Sequence, residues 1–277
     1  MSSRCLERTA AALCCALALG CAQAAQRELR VCADPDNLPY THADGSGFEN
    51  RIAQIVASEL RATLAYTWFP QRRTFLRNTL NAGACDVVMG VPTEYERVRT
   101  TKPYYRSSYV FAFRADAGEP FRTFDDPRLQ RVRVGVQLIG DDLAATPPGH
   151  ALALRGIVNN VAGYPIFGER PQAQVMIEAL ARRELDVALV WGPQAAYYAR
   201  QQAVPLAISP ARAPPELADV PFEFDMSIGV RKADRALMAE LDAVLERRRA
   251  DIDRVLLEFG VPRSDRPPAE RAQAGIP

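Results

Sequence analysis

Residues 29–91 switch repeatedly between two hydrophobic periods, and that alternation leaves few ways to fold. Residues 29–33 are a short apolar run, and Phe48, Ile52, Ile55, Val56 and Leu60 then recur at helical spacing. Residues 64–68 read as a second strand. Phe75, Leu76, Thr79 and Leu80 give another helical face, which Gly83 closes. Residues 86–91 form a third apolar run, as expected of a strand buried on both faces. This β-α-β-α-β order predicts an open parallel sheet with right-handed crossovers. A second unit follows, with strands at 109–114 and 132–136, a helix through Val175, Met176, Ala179 and Leu180, a strand at 186–191 and a helix at 194–202. Residues 222–230 are a late strand. Residues 235–259 read as one long helix stopped by Gly260 and Pro262. Residues 146–171, spotted with Pro and Gly, show no readable period. Two similar α/β units result, the second set inside the first, with crossings near 109–114 and 222–230.

The N-terminus is expected to be removed. Arg4 and Arg8 make a basic start, residues 10–19 are apolar but too short to span a bilayer, and Ala22-Gln23-Ala24 offers small residues at a cleavage site. A signal peptide over 1–24 follows. The alternative is a lipoprotein signal with Cys21 lipidated, which Leu19-Gly20-Cys21 fits and Ala18 does not. Either way Cys5, Cys14, Cys15 and Cys21 leave the fold, and Cys32 and Cys85 remain as an even pair in an oxidising compartment. Thirty-two basic and thirty-two acidic residues remain after the signal. That balance gives no argument for nucleic acid, and no basic run suggests a membrane surface. No later segment is apolar enough for a membrane span. Residues 263–277, polar and Pro-rich, read as a loose tail. Catalysis finds little support: His42 and His150 are the only histidines, both in loop-like sequence, and no nucleophile elbow, H-E-x-x-H or C-x-x-C occurs. Asp141 and Asp142 suit a helix start better than a metal site. No enzymatic activity, cofactor or metal is expected.

Four segments occur in an order that identifies a family: CADPDNLPY at 32–40, GFEN at 47–50, CDVVMGVPTEYERVRTTKPYY at 85–105 and FEFDMSIGVRK at 222–232. Residues 29–262 resemble type II periplasmic binding proteins of solute-binding family 3. The resemblance implies an α/β, two-lobed fold with the second lobe inserted in the first: lobe 1 from 25–112 plus 222–262, lobe 2 from 113–221. GFENRIA, TWFPQRRTFLRNTL, TKPYYRSSYVF and GVQLIGDD narrow the likeness to the quinoprotein dehydrogenase-associated, MoxJ/XoxJ-like subgroup. That subgroup implies a periplasmic accessory of a PQQ-dependent methanol or alcohol dehydrogenase. The alternative is a receptor that delivers a small anionic or neutral molecule to an ABC transporter.

The resemblance also implies a cleft lined by Asp34, Asn37, Tyr40, Glu49 and Arg97 from lobe 1 and by Gln137, Asp141 and Trp191 from lobe 2. Arg97 ends the T-x-x-x-R pattern whose arginine grips a ligand carboxylate in amino-acid receptors; a surface arginine paired with Glu94 or Glu96 is the plainer reading. Asp34 stands at a strand end, where open sheets bind ligands, and before Pro35 it is equally a turn former. Two departures weigh against an amine ligand. Trp191-Gly192-Pro193 stands where such receptors place an acid, and Arg51 replaces another acid of the helix-start signature. A cation in a half-closed cleft without its counter-charge costs several kcal/mol. Arg72, Arg73 and Arg77, the first two at a predicted helix start where the backbone dipole disfavours cations, are candidates for contact with an anionic partner. They are otherwise solvated, their stems lying over Trp68 or Phe69. Tyr104, Tyr105 and Arg106 are further partner-binding candidates, because interfaces favour Tyr and Arg. In this fold Cys32 and Cys85 fall on neighbouring strands, so a disulfide is expected; two buried thiols are the alternative.

Overall fold

The computed structural model describes residues 27–139, 144–165 and 170–265. The segment expected to be a signal peptide, with Cys21, and most of the expected tail lie outside them. β1 (Glu28–Ala33) passes through a small hairpin, β2 (Asp36–Asn37) and β3 (Thr41–His42), into α1 (Phe48–Glu59) and β4 (Thr63–Trp68). α2 (Phe75–Asn78), β5 (Val87–Pro92) and β6 (Arg99–Thr100) follow. β1 lies between β4 and β5 and runs parallel to both, as the alternation of periods predicts.

β7 (Tyr105–Arg114) is the strand that joins the two units. The second unit is built from β8 (Val134–Ile139), β9 (Ala144–Ala145), α3 (Pro147–Leu154), β10 (Val161–Pro165), α4 (Gln172–Ala181), β11 (Val187–Trp191), α5 (Gly192–Ala199) and β12 (Leu206–Pro210). β13 (Glu223–Val230) returns the chain to the first unit, where α6 (Arg235–Arg247) and α7 (Arg249–Glu258) pack. The first half of β7 pairs antiparallel with β13, Tyr105 opposite Met226 and Ser108 opposite Glu223. Its second half pairs with β11 and β12, Tyr109 opposite Trp191 and Val110 opposite Pro210. The sheet order is β10-β8-β11-β7-β13-β5-β1-β4.

Side chains of a strand alternate between the two faces of its sheet, and the cores follow that rule. Phe111 and Phe113 of β7 join Phe121, Phe124, Leu129, Val187 and Leu189 in one cluster. Val110 and Ala112 face the opposite side with Met176, Ile177, Leu180, Ala188 and Val190. A separate core holds Leu29, Val31, Phe48, Ile52, Val56, Ile228, Leu241, Ile252 and Leu256. A small fourth cluster holds Cys32, Phe75, Leu80, Cys85, Val88, Val91 and Val98. Cys32 and Cys85 form a disulfide within it, their Cα atoms 5.5 Å apart.

Three local expectations change. The helix expected over 235–259 is two helices, because Arg248 leaves helical geometry at φ −102°, ψ 16°. Arg247 and Arg248 both reach Glu59 on α1 at that break. The second helix of the first unit is one turn long: Thr79 leaves it at φ −120°, ψ −85°, and the Phe75 carbonyl accepts both the Thr79 N–H at 3.0 Å and its hydroxyl at 2.7 Å. The unread stretch 146–171 contains α3 and β10. Pro147 and Pro148 look like helix breakers, yet they occupy the first turn of α3, where no N–H is needed.

Candidate functional site

The ends of β1 and β4 carry the turns on which most of the expected lobe 1 residues sit. Asp34 follows β1 directly. One carboxylate oxygen accepts the Asp36 N–H at 2.9 Å and the other the Gln71 N–H at 2.6 Å. Asn37 donates its side-chain amide to Gln71 Oε1 at 2.9 Å. Asp34 and Asn37 therefore tie the turn after β1 to the turn after β4, and Gln71, which no sequence signal marked, is the shared partner. The Tyr40 ring meets Phe48 edge-on at 5.4 Å, and burial raises its hydroxyl pKa well above the ordinary tyrosine range. Its carbonyl accepts the Glu49 N–H, so the turn is sewn onto the first turn of α1. Gly47 is required at that junction, since a Cβ there would lie 2.1 Å from the Tyr40 oxygen.

Glu49, expected to line the cleft, is 5% exposed. Its Oε1 accepts the Tyr104 hydroxyl at 3.1 Å, and burial lifts its carboxyl to about 8. The Tyr105 hydroxyl and the Asn50 side-chain amide nitrogen are buried without a hydrogen-bond partner among the described residues. Gly90 of β5 makes room for the glutamate: it sits at φ +63°, and a Cβ there would be 2.1 Å from Glu49 Oε1. Because Glu49 is enclosed, it cannot swing aside cheaply. Gly90→Ala is expected to cost roughly 2–4 kcal/mol, combining left-handed strain with a disturbed buried hydrogen bond. Urea unfolding measures it, and an unchanged midpoint would show that the site relaxes.

The remaining candidates separate into buried and exposed groups. Tyr104 and Tyr105, expected at a partner surface, are core residues at 0% and 1% exposure, because the start of β7 is covered by α1. Arg106 is engaged with Glu223 and Asp225 across the β7–β13 pair. Gln137, expected at the cleft, is buried; it accepts the Trp191 N–H at 3.1 Å and donates to Gln194 Oε1 at 3.2 Å. Asp141 lies outside the described residues. Trp191 ends β11 and packs edge-on against Tyr109 at 5.3 Å and Phe224 at 5.7 Å, bridging the two units. Burial pushes the Tyr109 hydroxyl up to about 12. Arg97 stands exposed on the turn after β5 and pairs with neither Glu94 nor Glu96. Arg72, Arg73 and Arg77 are exposed on the turn that leads into and through α2. With only one helical turn there, the expected dipole penalty on Arg72 and Arg73 is small.

A cavity of about 280 Å³ lies between the units. Asp36 and Leu38 form one wall and Arg170, Gln174, Tyr197 and Tyr198 the other. The Tyr198 hydroxyl crosses it to donate to the Leu38 carbonyl at 2.9 Å. The two walls come from segments more than 130 positions apart and share no sequence signal. Among the described residues no group of three or more His, Cys, Asp or Glu side chains could hold a metal, and no helix is long and apolar enough to cross a membrane.

This two-unit α/β architecture, joined by strands that cross between the units, is that of two-lobed periplasmic binding proteins. The model of the family described as bacterial extracellular solute-binding proteins, family 3, matches residues 29–257, and the chain belongs to that family. Protein MoxJ of Methylorubrum extorquens strain AM1 is 36% identical over 250 residues, covering 84% of this chain and 81% of that protein. The crystal structure of the periplasmic binding protein XoxJ from Methylobacterium extorquens AM1 is similar with a TM-score of 0.71 and 37% identity, over 86% of this chain and 100% of the other. That of MxaJ from Methlophaga aminisulfidivorans MPT is similar with a TM-score of 0.72 and 26% identity, over 85% and 99%.

Proposed function

We propose that this protein is a periplasmic accessory of a PQQ-dependent methanol or alcohol dehydrogenase, which it binds and helps to activate or mature, and that it performs no catalysis itself. In this reading residues 1–24 direct export, with lipidation at Cys21 as the alternative. Lobe 1 is 25–112 plus 222–262 and lobe 2 is 113–221. The observation that carries the reading is the end of β11. An amine-binding receptor needs a carboxylate there; this chain puts the Trp191 indole there, packed on Tyr109 and Phe224. Gln137 beside it has both ends of its amide engaged. The likeness to MoxJ and XoxJ over most of the chain supports the same direction. The test is calorimetry of the mature protein against the dehydrogenase of the same bacterium, with turnover of the freshly loaded enzyme as a second readout. A complex and a larger active fraction are expected; no complex and no gain in activity sink the reading.

The cavity between Asp36 and Tyr197 favours a second reading, a receptor for a small anionic or neutral molecule. At about 280 Å³ it lies just below the usual range of ligand-site sizes. A ligand at a hundred times its Kd would add about 2.7 kcal/mol of stability, so a thermal-shift panel of metabolites decides this reading.

A further inference from the structure

The run from Leu60 to Cys85 contains no aspartate or glutamate and four arginines, in a mature chain whose charges balance only when this run is included. Three of the four, Arg72, Arg73 and Arg77, fall within six residues and are exposed, with no carboxylate partner among the described residues. Other arginines of the same unit are committed: Arg30 to Asp86, Arg51 to Glu258, Arg106 to Glu223 and Asp225. The three free guanidinium groups stand on a turn fixed from both sides. Gln71, directly before them, is held by Asp34 and Asn37. Phe75, between Arg73 and Arg77, is 5% exposed and rooted in the small core around the disulfide.

We propose that this arginine turn is the surface through which the protein docks on an acidic face of its partner enzyme. The inference rests on the accessory reading given above and adds the place and the chemistry of the contact. Guanidinium groups recognise carboxylates bidentately, and a turn that is already ordered loses little freedom on binding. The neighbouring turn over the same core does not share the role. Val98 roots it there, but Glu94 and Glu96 outweigh Arg97. The occupant is therefore a surface rich in Asp and Glu that meets Arg72, Arg73 and Arg77 together. Charge complementarity of this kind acts mainly on the association rate, and it weakens as salt screens it.

The experiment compares the wild type with R72E/R73E/R77E and R72Q/R73Q/R77Q by surface binding kinetics on the immobilised dehydrogenase, at low salt and at about 0.15 M ionic strength. The wild-type on-rate is expected to fall with salt. The neutral variant should lose about tenfold in on-rate at low salt, the reversed variant more, and both should lose the salt dependence. Their melting temperatures should match the wild type, since these side chains make no ion pairs among the described residues. Wild-type binding that all three proteins reproduce with the same on-rate and salt slope overturns the docking face while leaving the accessory reading intact. Wild-type binding to phosphatidylglycerol vesicles and not to the enzyme overturns both, and assigns the turn to a lipid surface.

Discussion

Glu49→Gln is expected to stabilise the folded protein, by a margin that grows with pH. In the fold the Glu49 carboxyl keeps its proton up to about 8, because burial disfavours the charged form; its ordinary value is 4.5. Below 4.5 the group is protonated in both folded and unfolded chains, and its burial carries no ionisation penalty. Between 4.5 and about 8 the unfolded chain has released the proton while the folded chain still holds it. Wild-type stability therefore falls as pH rises through that window, by about 1.4 kcal/mol per unit for this one group. The glutamine variant has no proton to take up. It can still accept the Tyr104 hydroxyl through its amide oxygen. The two proteins should differ little near pH 5 and by ~3 kcal/mol near pH 7, read from urea unfolding at each pH. A stability difference between the two proteins that stays flat with pH shows that Glu49 is ionised in the fold.

This carboxyl marks where sequence reasoning stopped. GFEN located α1 and its start, because glycine, an apolar residue and an acid in that order are local signals. What surrounds Glu49 is not local: Tyr104 is 55 residues away, and Gly90 clears the space from a third element. The same limit applies to Asp34, whose place at a strand end was legible while its second hydrogen-bond partner, Gln71, was not. Tyr104 and Tyr105 looked like interface residues by type. They are core because their side chains pack against Phe48 and Glu49 of α1, a fact of packing that residue type does not carry.

The strands were legible for the opposite reason. Runs such as Val87–Pro92 and Val187–Trp191 are covered on both faces, so their apolarity survives without any knowledge of partners. Which strand pairs with which half of β7 is decided by long-range register, and the sequence suggested only that the crossings lie near there. α3 stayed hidden because its first turn is two prolines, and the 235–259 helix was read as unbroken because its apolar side continues through Arg248 while the backbone does not.

Removal of the disulfide by C32A/C85A should lower the unfolding free energy by roughly 4 kcal/mol, on the chain-entropy argument for a crosslink between residues 53 apart. For a chain of this size that is on the order of 10 °C in melting temperature. The loss should be unevenly spread. The crosslink encloses α1, β4 and the arginine turn, and the cluster it anchors is small, roofed by the single turn of α2 rather than by a full helix. Amides of residues 70–84 should therefore exchange with solvent fastest in the variant, well before those of β1 or α1. Because Phe75 packs beside Cys32 and Cys85, loosening it should disorder Arg72, Arg73 and Arg77, and on the docking proposal association with the partner enzyme should slow as well, though less than when the arginines themselves are removed. Equal melting temperatures for variant and wild type, with a wild-type mass showing two free thiols, would mean that the bond does not form in the periplasm, and that apolar packing alone holds the turn.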